Sequence, residues 1–277
     1  MSLNSVNTNV GAMVALQSLN RTNEALNATQ KRVSTGYRVS DAKDDGAAFA
    51  VAQSVRADVA GLTAANEQLG GVKGVLDTAL AGLRKVSDTM IKVRETLVRL
   101  ADDTLNADQR AQYEAQYTAL RTQIQNFITD ATYNGRSLLS TTAPIGGNIV
   151  TTRNEAGTTY TLTAVDGLGT MVVAVAPTTA AAAQTALSGT GNWTTVNTVI
   201  ANAMNQFGSD SRYVDAQIGY NRDKLDALEG GLGALIDADL AKESARLQAL
   251  QIRQQLGTQS LSIANQAPQS LLSLFRG

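Results

Sequence analysis

The chain has 277 residues, with no cysteine, no histidine, three prolines and a net charge of −1. These absences exclude zinc fingers, thiol nucleophiles, Ser-His-Asp triads and the usual haem ligands. The near-neutral charge argues against a nucleic-acid binder, which needs a basic stripe to displace counterions. Aromatic residues make up 4% and hydrophobic residues 43%, so the apolar content is mostly Ala, Leu, Val and Ile, a mixture suited to helix seams rather than a thick globular core.

The first nine residues, Met1 to Asn9, lack the basic start and apolar run of a secretory signal peptide. Export, if it occurs, is therefore expected by a route that needs no cleaved signal. Beyond them Ala12, Leu19, Leu26 and Val33 recur every seven residues, with Ala15, Thr22 and Thr29 as a companion row. This predicts a helix with a thin apolar seam. A joint follows, from Ser34-Thr35-Gly36 to Asp44-Asp45-Gly46. Asp41, Asp44 and Asp45 evoke a calcium loop, but no D-x-D-x-D-G with a later Glu can be written. The cluster reads as capping chemistry at the start of a long helix.

That helix carries the strongest signal in the chain. Val55, Leu62, Leu69, Leu76, Leu83, Met90 and Leu97 form one heptad row. Asp58, Ala65, Val72, Ala79, Val86, Val93 and Leu100 form the other. Such a repeat predicts coiled-coil or bundle packing over roughly 70 Å, and hence an elongated molecule. Asp102-Asp103-Thr104-Leu105-Asn106 reads as a turn ending in an N-cap. A second helix follows through Tyr113, Tyr117, Leu120, Ile124, Phe127 and Ala131.

The middle differs in kind. Residues 141–193 are rich in Thr and Gly, with strand-like runs at Asn148–Arg153, Thr158–Ala164 and Met171–Ala176, turns between them, and a possible short helix at Ala180–Ala186. No stretch approaches the ~18 apolar residues of a membrane span. Trp193 is read as a packing anchor where the chain re-enters the bundle. Helical spacing then resumes at Val214, Ile218, Asn221, Leu225, Leu228, Leu232 and Leu235. Gly230-Gly231-Leu232-Gly233 reads as a helix joint, since neither the strand nor the Lys-Ser/Thr of a phosphate loop accompanies it. The C-terminal rows, Leu240, Leu247, Leu261 and Leu250, Gly257, Ala264, Leu271, are interrupted by Glu243, Gln254 and Pro268.

Magnitudes decide how the two ends should behave. Burying Leu19, Leu26 and Val33 yields about 5–8 kcal/mol. Ordering the twenty-odd backbone units involved costs on the order of 20–40 kcal/mol, only partly offset by helical hydrogen bonds. The terminal helices are therefore expected to be mobile in an isolated chain and to need a partner. Joints at matching distances from both termini suggest two discontinuous layers. Residues 1–40 and 236–277 would form one, and 41–235 the other, with the β excursion at about 141–193. No catalytic, cofactor or metal site is expected, because the carboxylate pairs sit at helix ends where dipole and capping roles explain them.

Several segments resemble bacterial flagellin. At the N-terminal end these are Val6-Asn7-Thr8-Asn9, Val33-Ser34-Thr35-Gly36-Tyr37-Arg38-Val39 and Ser40-Asp41-Ala42-Lys43-Asp44-Asp45. Thr132-Tyr133-Asn134-Gly135-Arg136-Ser137-Leu138-Leu139 is similar to the family's T-F-N-G-K-x-L-L segment. Near the C-terminus the resemblance rests on Ala264-Asn265-Gln266-Ala267-Pro268 followed by Leu271, Leu272 and Leu274. It implies a mainly α rod, its terminal helices forming an inner coiled-coil tube (D0) and its long helices an outer layer (D1) with a small β-rich insertion and no large outer domain.

The resemblance also implies an extracellular filament subunit for swimming motility, polymerised with copies of itself and meeting hook-associated junction and cap proteins. Export would be unfolded, through the flagellar type III apparatus, with a chaperone on the C-terminal helix. Neither nucleic acid nor membrane insertion is implied. The residues expected to couple ordering to assembly are Leu19, Leu26, Val33, Leu247, Leu250, Leu261, Leu271 and Phe275. A hook–filament junction protein sharing the terminal layers, and a non-polymerising helical extracellular binding module, are the alternative readings.

Overall fold

The computed structural model describes residues 8–275, with side chains described as far as Gln266. The chain is mainly α with a small β insertion, as the periodicity predicts. Among the described residues, seven helices and two strands follow in order: α1 (Val10–Thr35), α2 (Gly46–Leu100), α3 (Ala107–Asp130), β1 (Ile149–Thr152), β2 (Thr159–Leu162), α4 (Gly167–Thr170), α5 (Ala180–Leu187), α6 (Asn192–Ile236) and α7 (Leu240–Phe275). Among the described residues, no helix is long and apolar enough to cross a membrane. Two compact units are present, one of Met1–Ala57 with Ala227–Gly277 and one of Asp58–Asp226.

In the Asp58–Asp226 unit, the heptad rows of α2 are the core. Leu62, Leu69, Leu76, Leu83, Met90 and Leu97 are fully buried, and Ala65, Val72, Ala79, Val86, Val93 and Leu100 are buried beside them. Tyr117, Ile124 and Ile128 of α3 and Val196, Ile200, Ala203, Phe207 and Val214 of α6 close the same cluster. The turn before α3 ends in a capping box, Asn106 accepting from the Gln109 N–H (2.8 Å) while the Gln109 side chain accepts from the Asn106 N–H (3.2 Å). Trp193 anchors the start of α6 by donating to the Met90 carbonyl at 3.0 Å, with Arg94 over its ring.

The β insertion is a two-stranded antiparallel ribbon, Ile149 opposite Leu162 and Thr152 opposite Thr159. Asn154-Glu155-Ala156-Gly157 forms its turn, with Asn154 Oδ1 accepting the Thr158 N–H. Beneath the turn, Asn221 of α6 is fully buried and donates to Asn66 Oδ1 (2.9 Å) and to the Arg153 carbonyl (3.0 Å). Glu155 pairs with Lys224. Tyr160 stacks on Tyr213 at 4.2 Å and donates to Asp210.

The third strand-like run is not a strand. Met171 and Val173 are buried, but the backbone around them is bonded by side chains instead of a sheet. Arg121 donates to the Val173 carbonyl, the Tyr117 hydroxyl donates to the Ala174 carbonyl, and Asn192 accepts the Ala174 N–H. Those partners come from α3 and α6, so period-2 hydrophobicity was satisfied without a ladder.

Candidate assembly surface

The terminal unit is built around α1 and α7, which pair antiparallel. Asn9 Nδ2 donates to the Ala264 carbonyl (2.7 Å), Leu19 lies against Gly257, Gln254 donates to Asn23 (2.8 Å) and Arg32 meets Glu243 (3.4 Å). Asn9 is also the N-cap of α1, accepting from the Ala12 N–H at 3.0 Å.

The seam between the helices is polar to an unusual degree. Thr22, Thr29 and Glu243 are buried in this pair, and Leu250 is the one buried apolar side chain among its described residues. One Glu243 carboxylate oxygen has no hydrogen-bond partner, although Arg32 reaches the other. Of the residues singled out from the heptads, Leu19, Leu26, Val33, Leu247 and Leu261 are half-buried, and Leu250 is buried. Leu271 and Phe275 lie outside the described side chains. The structure thus places the described members of that row at or beside the α1–α7 seam of a single chain.

The outward faces are apolar. Val10, Met13 and Val14 on α1, and Ile252, Leu256 and Ile263 on α7, are 58–62% exposed, with Leu16 and Leu240 also open. A shallow groove of about 440 Å³ runs beside Val10, Met13, Val14, Leu16, Gln17 and Asn20. Heptad counting missed this face because it follows the stronger row. The signal was nevertheless present in the i, i+3, i+4 spacing of Val10, Met13 and Val14.

The joint is organised by one carboxylate. Asp44 Oδ2 accepts from the Ser40 N–H (3.0 Å), the Ser40 hydroxyl (2.9 Å), the Asp41 N–H (3.3 Å) and Lys31 Nζ (3.1 Å). The Ser40 backbone, Lys31 and the Ser40 hydroxyl together hold its carboxyl well below the usual carboxylate range. Asp41, bonded to Lys31 at 2.6 Å and to the Lys43 N–H, is lowered too, and both aspartates raise Lys31. Asp45 accepts from the Ala47 and Ala48 N–H groups and caps α2, so Gly46 begins that helix. Asp44 thus gathers Lys31 and Ser40, two groups that the sequence reading did not single out.

The two chain crossings of the joint are tied to each other. Gly36 ends α1 with φ 75°, and its carbonyl accepts from the Ala238 N–H (2.9 Å). The Arg38 N–H donates to the Ile236 carbonyl (2.7 Å). Val39, Ala52 and Ile236 form a small buried cluster with Phe49 and Leu232 packed on it. α6 runs unbroken through Gly230, Gly231 and Gly233, and the change of direction comes after Ile236, at Asp237. A Cβ at Gly230 or Gly231 would meet open space.

In the other unit, Asn134 (φ 49°) and Gly135 (φ 73°) form a tight hairpin turn in which Tyr133 and Arg136 exchange both backbone hydrogen bonds. Only a residue tolerant of positive φ fits either position. Among the described residues, no group of three or more acidic side chains converges as a metal site would require.

The chain matches the family model for the bacterial flagellin N-terminal helical region over residues 6–143 and that for the C-terminal helical region over residues 191–275. It is 39% identical to flagellin FljK and 38% identical to flagellin FljM of Caulobacter vibrioides, in each case over 100% of both chains. A flagellin of Brucella melitensis is 35% identical over 99% of both.

Proposed function

This chain belongs to the bacterial flagellin family and is a structural subunit of the flagellar filament, and on that premise we propose how its parts serve the polymer. Residues 1–40 with 236–277 form the inner layer, and residues 41–235 the layer around it, the β ribbon being a local insertion. The row Leu19, Leu26, Val33, Leu247, Leu250 and Leu261, continued by Leu271 and Phe275, orders the terminal helices as neighbours add their own burial. Ordering and assembly are then one event. Contacts that do not close into a ring generate an open helical polymer.

The observation that carries this reading is the terminal pair itself. Its seam buries threonines and a glutamate, while large apolar side chains face outward, an arrangement that a free-standing domain would not favour. The chain travels unfolded through the flagellar type III apparatus with a chaperone on α7, and meets junction and cap proteins at the filament ends. Deleting residues 1–33 tests the assembly role. The expected outcome is a chain that keeps the helical content of its Asp58–Asp226 unit and forms no filaments. Normal filaments from that variant would sink the reading.

A further inference from the structure

We propose that Tyr160 of β2 and Tyr213 of α6 form an oxidative cross-linking site, where a one-electron oxidant of the peroxide or persulfate class joins the two rings as dityrosine and fastens the β ribbon to the helix. Both rings belong to the Asp58–Asp226 unit, so the reaction is complete within one chain and does not depend on assembly.

The geometry suits carbon–carbon coupling. The ring centroids are 4.2 Å apart with 27° between the planes, a stacked arrangement. Among the described residues, no other two aromatic rings stack. In a phenoxyl radical the unpaired electron occupies π orbitals perpendicular to the ring, with much of its density on the Cε carbons beside the oxygen. Two radicals stacked face to face present those orbitals to each other.

Proton removal is provided on one side. The Tyr160 hydroxyl donates to Asp210 Oδ1 at 2.6 Å. Burial and that hydrogen bond push the phenol up to about 12, so at neutral pH it holds its proton until an electron leaves. The oxidised phenol is a strong acid, and Asp210 stands within hydrogen-bond reach to receive its proton. The Tyr213 hydroxyl accepts from Arg153 Nη1 at 3.1 Å and, being half-buried, releases its own proton to solvent.

Other sites are poorer electron donors. The chain has no cysteine. Arg94 lies over the Trp193 ring at 4.9 Å, Arg99 over Tyr113 at 5.6 Å and Arg56 over Tyr37 at 5.8 Å. A guanidinium is held on a ring by π density that oxidation removes, so it opposes loss of an electron there. Tyr117 is buried and donates to the Ala174 carbonyl, which is no base. Tyr133 and Tyr220 are exposed, and neither stacks on another ring among the described residues.

The step balances. Each ring gives up one electron and its phenolic proton, and the radicals join through one Cε–Cε bond. The two hydrogens on those carbons pass through solvent to the oxygens and restore both phenols. The net loss is two electrons and two protons, and one persulfate takes the electrons and leaves as two sulfates.

The full-length chain, kept dilute, is photo-oxidised with tris-bipyridyl ruthenium and persulfate. The expected product is a monomer lighter by two hydrogens, with dityrosine fluorescence and a digest that joins the Tyr160 and Tyr213 peptides. Tyr160→Phe and Tyr213→Phe should each lose it. Asp210→Asn keeps a hydrogen-bond acceptor without the base, and should slow the product roughly tenfold or more at unchanged near-ultraviolet circular dichroism. Peptide mapping of the unmodified chain decides the pairing even where a variant folds poorly. No dityrosine in the monomer, or dityrosine mapped chiefly to Tyr133, Tyr220 or pairs of chains, would overturn the site. Equal rates in Asp210→Asn and the unmodified chain would overturn the role of Asp210.

Discussion

The side-chain amide of Asn221, fully buried on α6, donates to the backbone carbonyl of Arg153 at the end of β1, at 3.0 Å. The same nitrogen donates to Asn66 on α2, and Asn221 Oδ1 accepts from Gln217. One buried amide thus ties the β ribbon to two helices. Removing it as Asn221→Ala leaves Asn66 Oδ1 without its donor and the Arg153 carbonyl with only the Gln217 amide, at 3.3 Å, and unsatisfied buried groups cost about 1–3 kcal/mol each where water cannot reach them. Partial hydration at the ribbon edge brings the expected loss to about 2–3 kcal/mol, read by calorimetry as a fall in melting temperature of roughly 4–10 °C. An unchanged melt would mean the ribbon is held by the Tyr160–Tyr213 stack and the Glu155–Lys224 pair instead.

Two glycines on α2 should respond in opposite directions to the same substitution. A Cβ at Gly82 would stand 2.8 Å from the Ala131 Cβ and 3.3 Å from the Phe127 carbonyl, where α3 ends. Gly82→Ala therefore forces the helices apart, at about 1–3 kcal/mol of overpacking. A Cβ at Gly70 meets open space, so Gly70→Ala gains up to ~1 kcal/mol of helix propensity. Chemical denaturation of the two variants side by side decides it; equal shifts would contradict the close approach at Gly82.

Acid should loosen the joint through Asp44 and Asp41. Their folded pKa values are depressed, so the stability they contribute is present above the unfolded carboxylate range, near pH 4, and is lost as pH falls through the lower folded values. Lys31 is raised, so its contribution is complete below its unfolded pKa and fades only as pH climbs past about 10. Amide exchange at Ser40 and Asp41 is the readout. Protection should be flat across neutral pH and fall below about pH 4, whereas Asp44→Asn should weaken it at neutral pH and flatten the acid limb. An identical acid limb in both proteins would assign the transition to other groups.

Arg32 and Glu243 should show strong coupling. The Glu243 side chain is 11% exposed, one of its oxygens lacks a partner, and Arg32 is its nearest cation. Arg32→Leu alone leaves a buried carboxylate with only Arg246, at 4.0 Å, as its cation, and losses of about 3–5 kcal/mol accompany the complete stranding of a fully buried charge. The partial exposure here points to the lower end. The double substitution Arg32→Leu with Glu243→Leu should recover most of that loss, because two apolar side chains in a seam need no desolvation. Thermal unfolding of the terminal pair distinguishes the cases. A double variant no more stable than Arg32→Leu would show that the pair is held by this contact and not by packing.

What the sequence determined by itself is everything set by a local period. The heptad rows of α2 gave its length and its buried face, Leu62 through Leu97, because seven residues return a helix to nearly the same side whatever it packs against. The turn at Asn154–Gly157 and the N-cap at Asn106 were legible for a related reason: caps and tight turns depend on a few neighbouring residues. Family membership was also legible, from short motifs at the two ends.

Tertiary structure alone decided what depends on distant partners. Met171–Ala176 reads as a strand by alternation, yet Tyr117, Arg121 and Asn192 take its backbone groups from across the chain. α6 runs through its glycines because a continuous helix satisfies its own backbone there, and the direction changes where the Arg38 and Val39 N–H groups reach the Ile236 carbonyl. On α1 two apolar stripes compete, Leu19-Leu26-Val33 and Val10-Met13-Val14, and no local rule ranks one as the face for α7. The pairing with α7 ranks them. It draws the first stripe to the polar seam and leaves the second outside.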